Sequence, residues 1–242
     1  MYDLISEFKC VVCFDYMKPP IQMCLNGHSC CNSCFRRMNQ CPECRGQKSD
    51  YRNLNLERIC NKLVFPCRNA DYGCDFASKG VDVVSHEGKC VYEYMPCPFA
   101  EYGCTWSGVY NTMEDHFRDN HYFIYDIPNC CYLRGFNWGA NTWHQPLKFE
   151  GFLFVLSVIK ERSRYWFGVY SIINTDVTYN HELKFMDSTN RTIRFRGICS
   201  KRWTTEDDVS NLQSAPGMLV KSFRQGNLVK YKIEIFHPPL EN

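Results

Sequence analysis

"CLNGHSCCNSC", residues 24–34, packs four cysteines and one histidine into eleven residues. Five donors are too many for one tetrahedral ion, and the neighbours Cys30 and Cys31 are poorly placed to serve the same one. Working outward resolves the choice. Cys10 and Cys13 form a Cys-x2-Cys pair upstream. Cys24 follows after ten intervening residues and His28 after three more, then Cys31 and Cys34, then Cys41 and Cys44. These eight donors fill two closed, four-coordinate zinc sites with no position left for water. Cys31 keeps both a His-x2-Cys and a Cys-x2-Cys spacing, whereas Cys30 would break the second. Cys30 is therefore expected to be a small buried thiol.

Seventeen cysteines in 242 residues admit two explanations, a disulfide framework or metal sites. The count is odd, the cysteines fall in spaced pairs, and histidines stand at fixed offsets, which favours zinc. "MYDLISEFKC" at the start lacks the basic and apolar regions of a signal peptide. The longest apolar run, "FLFVLSVI" at 152–159, is too short for a membrane-spanning helix. A net charge of +2 gives no general pull toward nucleic acid or anionic lipid. The expectation is a soluble intracellular protein, in the cytoplasm or also the nucleus, with no membrane and no nucleic-acid partner.

Downstream, "FPCRNADYGCDF" from Phe65 and "MPCPFAEYGCTW" from Met95 repeat one pattern thirty residues apart. Each has Pro-Cys, then Tyr-Gly-Cys, then an aromatic residue two positions on. The frames are Cys67, Cys74, His86, Cys90 and Cys97, Cys104, His116, His121, four donors each, so two further structural zincs are inferred. Each finger reads as a β-hairpin bearing the two cysteines, followed by a helix bearing the last two ligands. Gly73 and Gly103 suit a turn that needs positive φ. Between Cys67 and His121 there are four Lys/Arg against nine Asp/Glu, a net of −5, which is the wrong sign for a DNA reader. A rigid spacer or a protein contact is the better expectation.

Between the modules, "RGQKSDYRNLNLERICNKLVF" starts as a polar linker and then places Leu56, Ile59, Cys60 and Leu63 at helical spacing. Sixteen ligands serve four zincs, which leaves Cys30, Cys60, Cys130, Cys131 and Cys199 without metal. From residue 122 the pattern turns to strands. "FLFVLSVIK", "YWFGVYSII", "HELKFM", "TIRFRGI" and "LVKYKIEIF" are short, β-branched or aromatic, and separated by turn-like stretches. Several alternate with polar residues, which predicts an antiparallel sandwich with one face of each sheet in water.

A single histidine standing fourth among eight donors is the order of a RING finger; a PHD finger would place it fifth. In the RING pattern the pairing interleaves. Cys10, Cys13, Cys31 and Cys34 hold one zinc, and Cys24, His28, Cys41 and Cys44 hold the other. RING, linker helix, two such fingers and a β-rich tail together resemble the seven-in-absentia (SINA/SIAH) family of ubiquitin ligases. "CFDYMKPPI", "CPECRG", "RNLNLE" and "FPC" carry the resemblance, which is specific over about residues 7–121. It implies a RING finger at 7–48, a linker helix at 49–64, SIAH-type fingers at 65–92 and 93–121, and a TRAF-like substrate-binding β-sandwich at 122–242. The fold class expected is thus small zinc-stabilised α+β modules followed by an all-β TRAF-like antiparallel sandwich.

The resemblance also implies roles. A ubiquitin-conjugating enzyme would dock on Val12, Met38 and Pro42, and Arg45 would bridge that enzyme and its ubiquitin. Protein substrates or degron peptides would bind the sandwich, with Trp143 in the groove, and the chain would form a homodimer. His144 and Gln145 depart from the more apolar text of the family, so no degron sequence is carried over. No cysteine has a recognisable nucleophilic setting, so a covalent ubiquitin intermediate is not expected. Two other readings stand beside this one: a ligase-dead TRAF-like adaptor and a zinc-finger nucleic-acid binder.

Overall fold

Phe65 determines which module the first finger joins. In the computed structural model, which describes residues 2–121, 125–126, 132–133, 142–200, 212–226 and 228–238, this ring is fully buried. It meets Phe8 edge-on at 5.3 Å and Tyr16 at 5.5 Å. Cys130 and Cys131 lie outside the described residues. The chain divides into two compact units, Met1–Tyr94 and Met95–Asn242. The division falls between the two fingers.

The first unit contains α1 (Tyr2–Ser6), β1 (Ile21–Cys24), β2 (Ser29–Cys31), α2 (Asn32–Arg37), β3 (Lys48–Arg52), α3 (Leu54–Cys60), β4 (Val64–Pro66), β5 (Ala77–Lys79) and α4 (Gly80–Glu87). Three strands pair in the order β2-β1-β3, all antiparallel. The polar stretch read as the start of a linker is therefore a strand of the RING sheet. "KSDYR" has no apolar alternation because only Ser49 on it is buried. The Asn53 side chain caps α3 by accepting the Leu56 N–H at 3.1 Å. Cys60 ends that helix fully buried, and its thiol faces the Met17 carbonyl. α4 begins directly against it: a Cβ on Gly80 would lie 2.5 Å from Cys60 Sγ, so no larger residue fits. Ile5, Phe8, Ile21, Phe35, Phe65 and Val83 then share one core spanning RING, linker helix and first finger.

The second unit opens with β6 (Tyr94–Pro96), β7 (Ser107–Val109) and α5 (Met113–Asn120) of the second finger. It continues with β8 (Tyr125–Asp126), β9 (Tyr132–Leu133), β10 (Thr142–Phe149), β11 (Phe152–Glu161), β12 (Arg164–Ser171), β13 (Asn180–Met186), β14 (Thr192–Ile198), β15 (Gln213–Pro216), α6 (Gly217–Lys221), β16 (Arg224–Gln225) and β17 (Leu228–Phe236). One sheet runs β15-β12-β11-β10-β8, and the other runs β14-β13-β17-β16 with β9 also on β17. All pairs are antiparallel except β8 on β10. Phe154, Leu156 and Phe167 from the first sheet meet Leu183, Phe195 and Ile233 from the second across the core.

The second sheet matches the expected alternation. On β13, buried His181, Leu183 and Phe185 alternate with half-exposed neighbours. The first sheet keeps only part of its outer face in water, at β12 and β15. Leu153, Val155, Ile172 and Ile173 on that face are buried beneath Met95, Phe99, Tyr110, Met113 and Phe117 of the second finger. Polar contacts hold the cover in place: the Leu153 N–H donates to the Tyr110 hydroxyl at 2.9 Å, and Lys148 Nζ donates to the Glu114 carboxylate at 2.9 and 3.0 Å. This double burial explains why β11 is continuously apolar rather than alternating.

A fragment starting at residue 122 should therefore be much less stable than one starting at residue 95. It would expose four apolar side chains, each contributing about 1.5–3 kcal/mol when buried. Urea denaturation of residues 95–242 should give one cooperative transition. The 122–242 fragment should unfold at markedly lower urea or aggregate, and equal midpoints would contradict the covered face.

Candidate metal centres and docking surface

Each of the four predicted quartets converges. In Cys10/Cys13/Cys31/Cys34, Cys24/His28/Cys41/Cys44, Cys67/Cys74/His86/Cys90 and Cys97/Cys104/His116/His121, all donor atoms lie within 4.8 Å of one another. Zn–S bonds of about 2.3 Å in a tetrahedron imply S···S edges of about 3.8 Å. Sulfur pairs of 3.7 Å (Cys13, Cys31), 3.9 Å (Cys24, Cys44) and 3.8 Å (Cys67, Cys90) match that edge. They are far too long for disulfides, whose sulfurs sit about 2.05 Å apart. The donor sets and their spacing fit zinc, and the chain carries four zinc sites.

Local structure delivers these donors. The first two ligands of each finger lie in the loop between its strands, not on the strands. A 3₁₀ turn, Ala70–Tyr72 or Ala100–Tyr102, folds that loop. It closes on Gly73 (φ +103°) or Gly103 (φ +91°), the positive φ expected from the repeat. His86 lies on α4 and His116 on α5, while Cys90 lies beyond α4 and His121 caps α5. Backbone N–H groups favour the thiolate at Cys10 and Cys44, whereas burial pushes other ligand thiols, such as Cys34, Cys41 and Cys74, up. Burial pushes the Cys10 thiol up, but N–H groups of Cys13, Cys31 and Val12 outweigh it and bring the pKa to about 6. Cys44 also falls to about 6, chiefly through the Gly46 N–H and then the Asn26 amide, which donates to its sulfur at 3.3 Å. Cys30 is buried with its sulfur 3.4 Å from Cys10 Sγ but stands outside the quartet.

Several supporting residues were not assigned from sequence. His28 presents Nδ1 to Cys24 Sγ at 3.5 Å, while its Nε2 lies 3.9 Å from the Glu43 carboxylate. The finger histidines present Nε2 instead, and the Asn120 amide sits 3.3 Å from His116 Nδ1. Such partners orient a ligand ring. The repeated aromatic after each second cysteine has the same use. Phe76 stacks on His86 at 4.0 Å and 11°, and Trp106 stacks on His116 at 4.2 Å and 6°. The repeat showed this residue; only its distance from the histidine in sequence hid the role.

Among the expected docking residues, Val12, Pro42 and Arg45 are exposed and Met38 is half-buried against the RING core. Met38, Asn39, Gln40, Cys41, Pro42 and Arg45 line one cleft of about 580 Å³; Val12 is not on its wall. Val12 instead shares the first zinc loop with Val11 and with Phe14, which is 74% exposed. Trp143 is half-buried on β10, packs against the sandwich core and meets the Tyr231 ring edge-on at 6.5 Å. It also borders a cleft of about 590 Å³ lined by second-finger residues including Phe99, Tyr102 and His121. His144 points to the opposite face, under the finger: its Nδ1 is 2.9 Å from Ser157 Oγ and its ring 4.7 Å from Tyr102. Burial lowers its pKa to about 4, so it sits there neutral.

A zinc-bearing RING, two fingers of one repeat and a β-sandwich define the class. Comparison with known proteins agrees. Residues 10–44 match "E3 ubiquitin-protein ligase sina/sinah, RING finger", and residues 58–130 match "Sina, zinc finger". The chain is 37% identical over 119 residues to E3 ubiquitin-protein ligase siah-1 of Caenorhabditis briggsae, covering 49% of this chain and 27% of that protein. It is 37% identical over 119 residues to E3 ubiquitin-protein ligase sina of Drosophila melanogaster, with 49% and 38% covered. Human E3 ubiquitin-protein ligase SIAH2 is 36% identical over 121 residues, with 50% and 37% covered. The matched segments thus span about a third of these relatives. The RING and zinc-finger region of this chain is similar to the corresponding region of sina/SIAH proteins.

Native mass spectrometry should find four zincs per chain, since each structural site contributes on the order of 10 kcal/mol to folding. Cys31→Ser should lose one zinc and Cys30→Ser none; the reverse would put the wrong neighbour in the quartet. Trp106→Ala should keep the fourth zinc but release it to a chelator roughly tenfold faster, the scale of losing a supporting partner. An unchanged release rate, followed with a colorimetric chelator, would remove the stacking role.

Proposed function

We propose that this chain is a RING-type ubiquitin ligase. The observation that carries the reading is the RING itself, with two interleaved zinc quartets and apolar Val12, Met38 and Pro42 beside them, in a region 36–37% identical to proteins named as ubiquitin ligases. The chain would bind a ubiquitin-charged conjugating enzyme on that face and a substrate on the sandwich. The substrate lysine amine would attack the thioester carbonyl and release the conjugating enzyme's thiolate. The ligase contributes position: it raises the effective concentration of the amine and restrains the thioester. Arg45, exposed and at φ +56°, holds a fork of donors beside Pro42 that suits carbonyls of both enzyme and ubiquitin.

The five-part division at 7–48, 49–64, 65–92, 93–121 and 122–242, the homodimer, transfer to substrate lysines leading to proteasomal degradation, and the cytoplasmic or nuclear location belong to the same proposal. So does substrate capture at Trp143. Its place at the rim of the 590 Å³ cleft supports a groove, while its packing on the sandwich core means that removing it would also cost stability.

The test is discharge of a charged conjugating enzyme by the purified chain. Val12→Arg or Pro42→Ala should reduce discharge at least severalfold with all four zincs retained, because both side chains stand on metal loops without ligating. Arg45→Ala should slow discharge from the bound complex more than it weakens binding. A wild-type chain that binds no conjugating enzyme and discharges none would defeat the ligase reading.

A further inference from the structure

The connection between the two zinc loops of the RING is gripped from outside the RING. Cys13 and Cys24 belong to different zinc quartets, and the chain between them crosses from one loop to the other. Along this crossing, Pro19 and Pro20 have no N–H to anchor it. β1 begins only at Ile21. Upstream of the prolines the Met17 N–H donates to the Phe8 carbonyl at 2.6 Å, and two carboxylates hold the residues on either side of the prolines. Lys18 Nζ donates to Glu87 Oε1, with the two side chains only 7% and 4% exposed. The Ile21 N–H donates to Glu57 Oε1 at 2.9 Å.

Neither carboxylate comes from the RING ligand span. Glu57 lies on α3, and Glu87 is the last residue of α4 in the first finger. Each is aimed by an arginine. Arg52 Nε and Nη2 donate to Glu57 at 2.9 and 2.5 Å. Arg68 donates to Glu87 through its backbone N–H at 2.9 Å and through Nε and Nη2 at 3.1 and 2.9 Å. Buried carboxylates are costly unless paired in this way, and both oxygens of each carboxylate have partners here.

We propose that Glu57 and Glu87 are positioning residues for conjugating-enzyme docking: by holding Ile21 and Lys18 they fix the zinc loop that carries Val12 relative to the loop that carries Pro42 and Arg45. The inference rests on the ligase reading for its partner but not for its geometry. It makes the first finger a working part of the RING, so that a residue next to zinc ligand His86 controls a surface built by other zincs.

The experiment uses the full chain with Lys18→Met, which removes the charge and keeps the stem, and Lys18→Arg, which keeps the charge. Zinc content, backbone amide resonances, and the Kd for a purified ubiquitin-conjugating enzyme that docks on the wild-type chain are measured. Lys18→Met should keep four zincs, shift the amides of residues 10–14 and 41–46, and weaken docking roughly tenfold, the range of coupling through a packed network. Lys18→Arg should restore both. Unshifted loop amides with unchanged docking would overturn the proposal, even if the melting temperature fell, since a merely structural pair does only that. Should Lys18→Met lose zinc, Glu57→Leu at the other end of the grip decides by the same two readouts. If no conjugating enzyme docks on the wild-type chain, the ligase reading falls, and the loop amides alone decide the grip.

Discussion

Convergence of cysteine and histidine donors on zinc is the constraint from which the rest of the N-terminal half follows. The helices of the first unit are five to eight residues long and its strands three to five. Helices that short do not persist alone, and small sheets need a packed face. Structural zinc supplies on the order of 10 kcal/mol per site, enough to hold such pieces. The protein prepares for the ion through N–H groups aimed at Cys10 and Cys44, and through Phe76 and Trp106 stacked on the ligating rings.

Zinc fixes each module, and apolar burial decides which modules belong together. The two fingers share a repeat, and residues 58–130 match one sina zinc-finger segment. Their cores nevertheless go to different units. Phe65 and Val83 of the first finger enter the core that contains Phe8 and Phe35 of the RING. Phe99, Met113 and Phe117 of the second cover Leu153 and Val155 of the sandwich. The sequence leaves a rigid spacer or a protein contact open for the fingers; in the structure each finger packs into the core of its own unit. In the proposed ligase this would divide the labour: the first unit would present the docking face and the second the substrate site.

The metal ligands were legible because spacing picks out the donors, while the way the first eight pair came from their resemblance to a RING finger. The choice of Cys31 over Cys30, the positive φ at Gly73 and Gly103, and the β-rich tail all appear in the structure as read. What escaped depends on long-range contact. Lys48–Arg52 reads as a linker because only one of its residues is buried, yet it pairs with β1. His144 looks out of place on an apolar strand until the second finger covers it and Ser157 receives it. The grip of Glu57 and Glu87 on Ile21 and Lys18 links residues 36 and 69 positions apart, which no local pattern reports.

Hydrogen exchange during stepwise zinc chelation tests the partition most directly. On this account, residues 65–90 lose protection together with residues 10–45, because they share one core. Residues 97–121 lose protection as a separate step, together with the outer face of β11. Loss of both fingers in a single step, with the RING protected throughout, would contradict the division of the fingers between the two units.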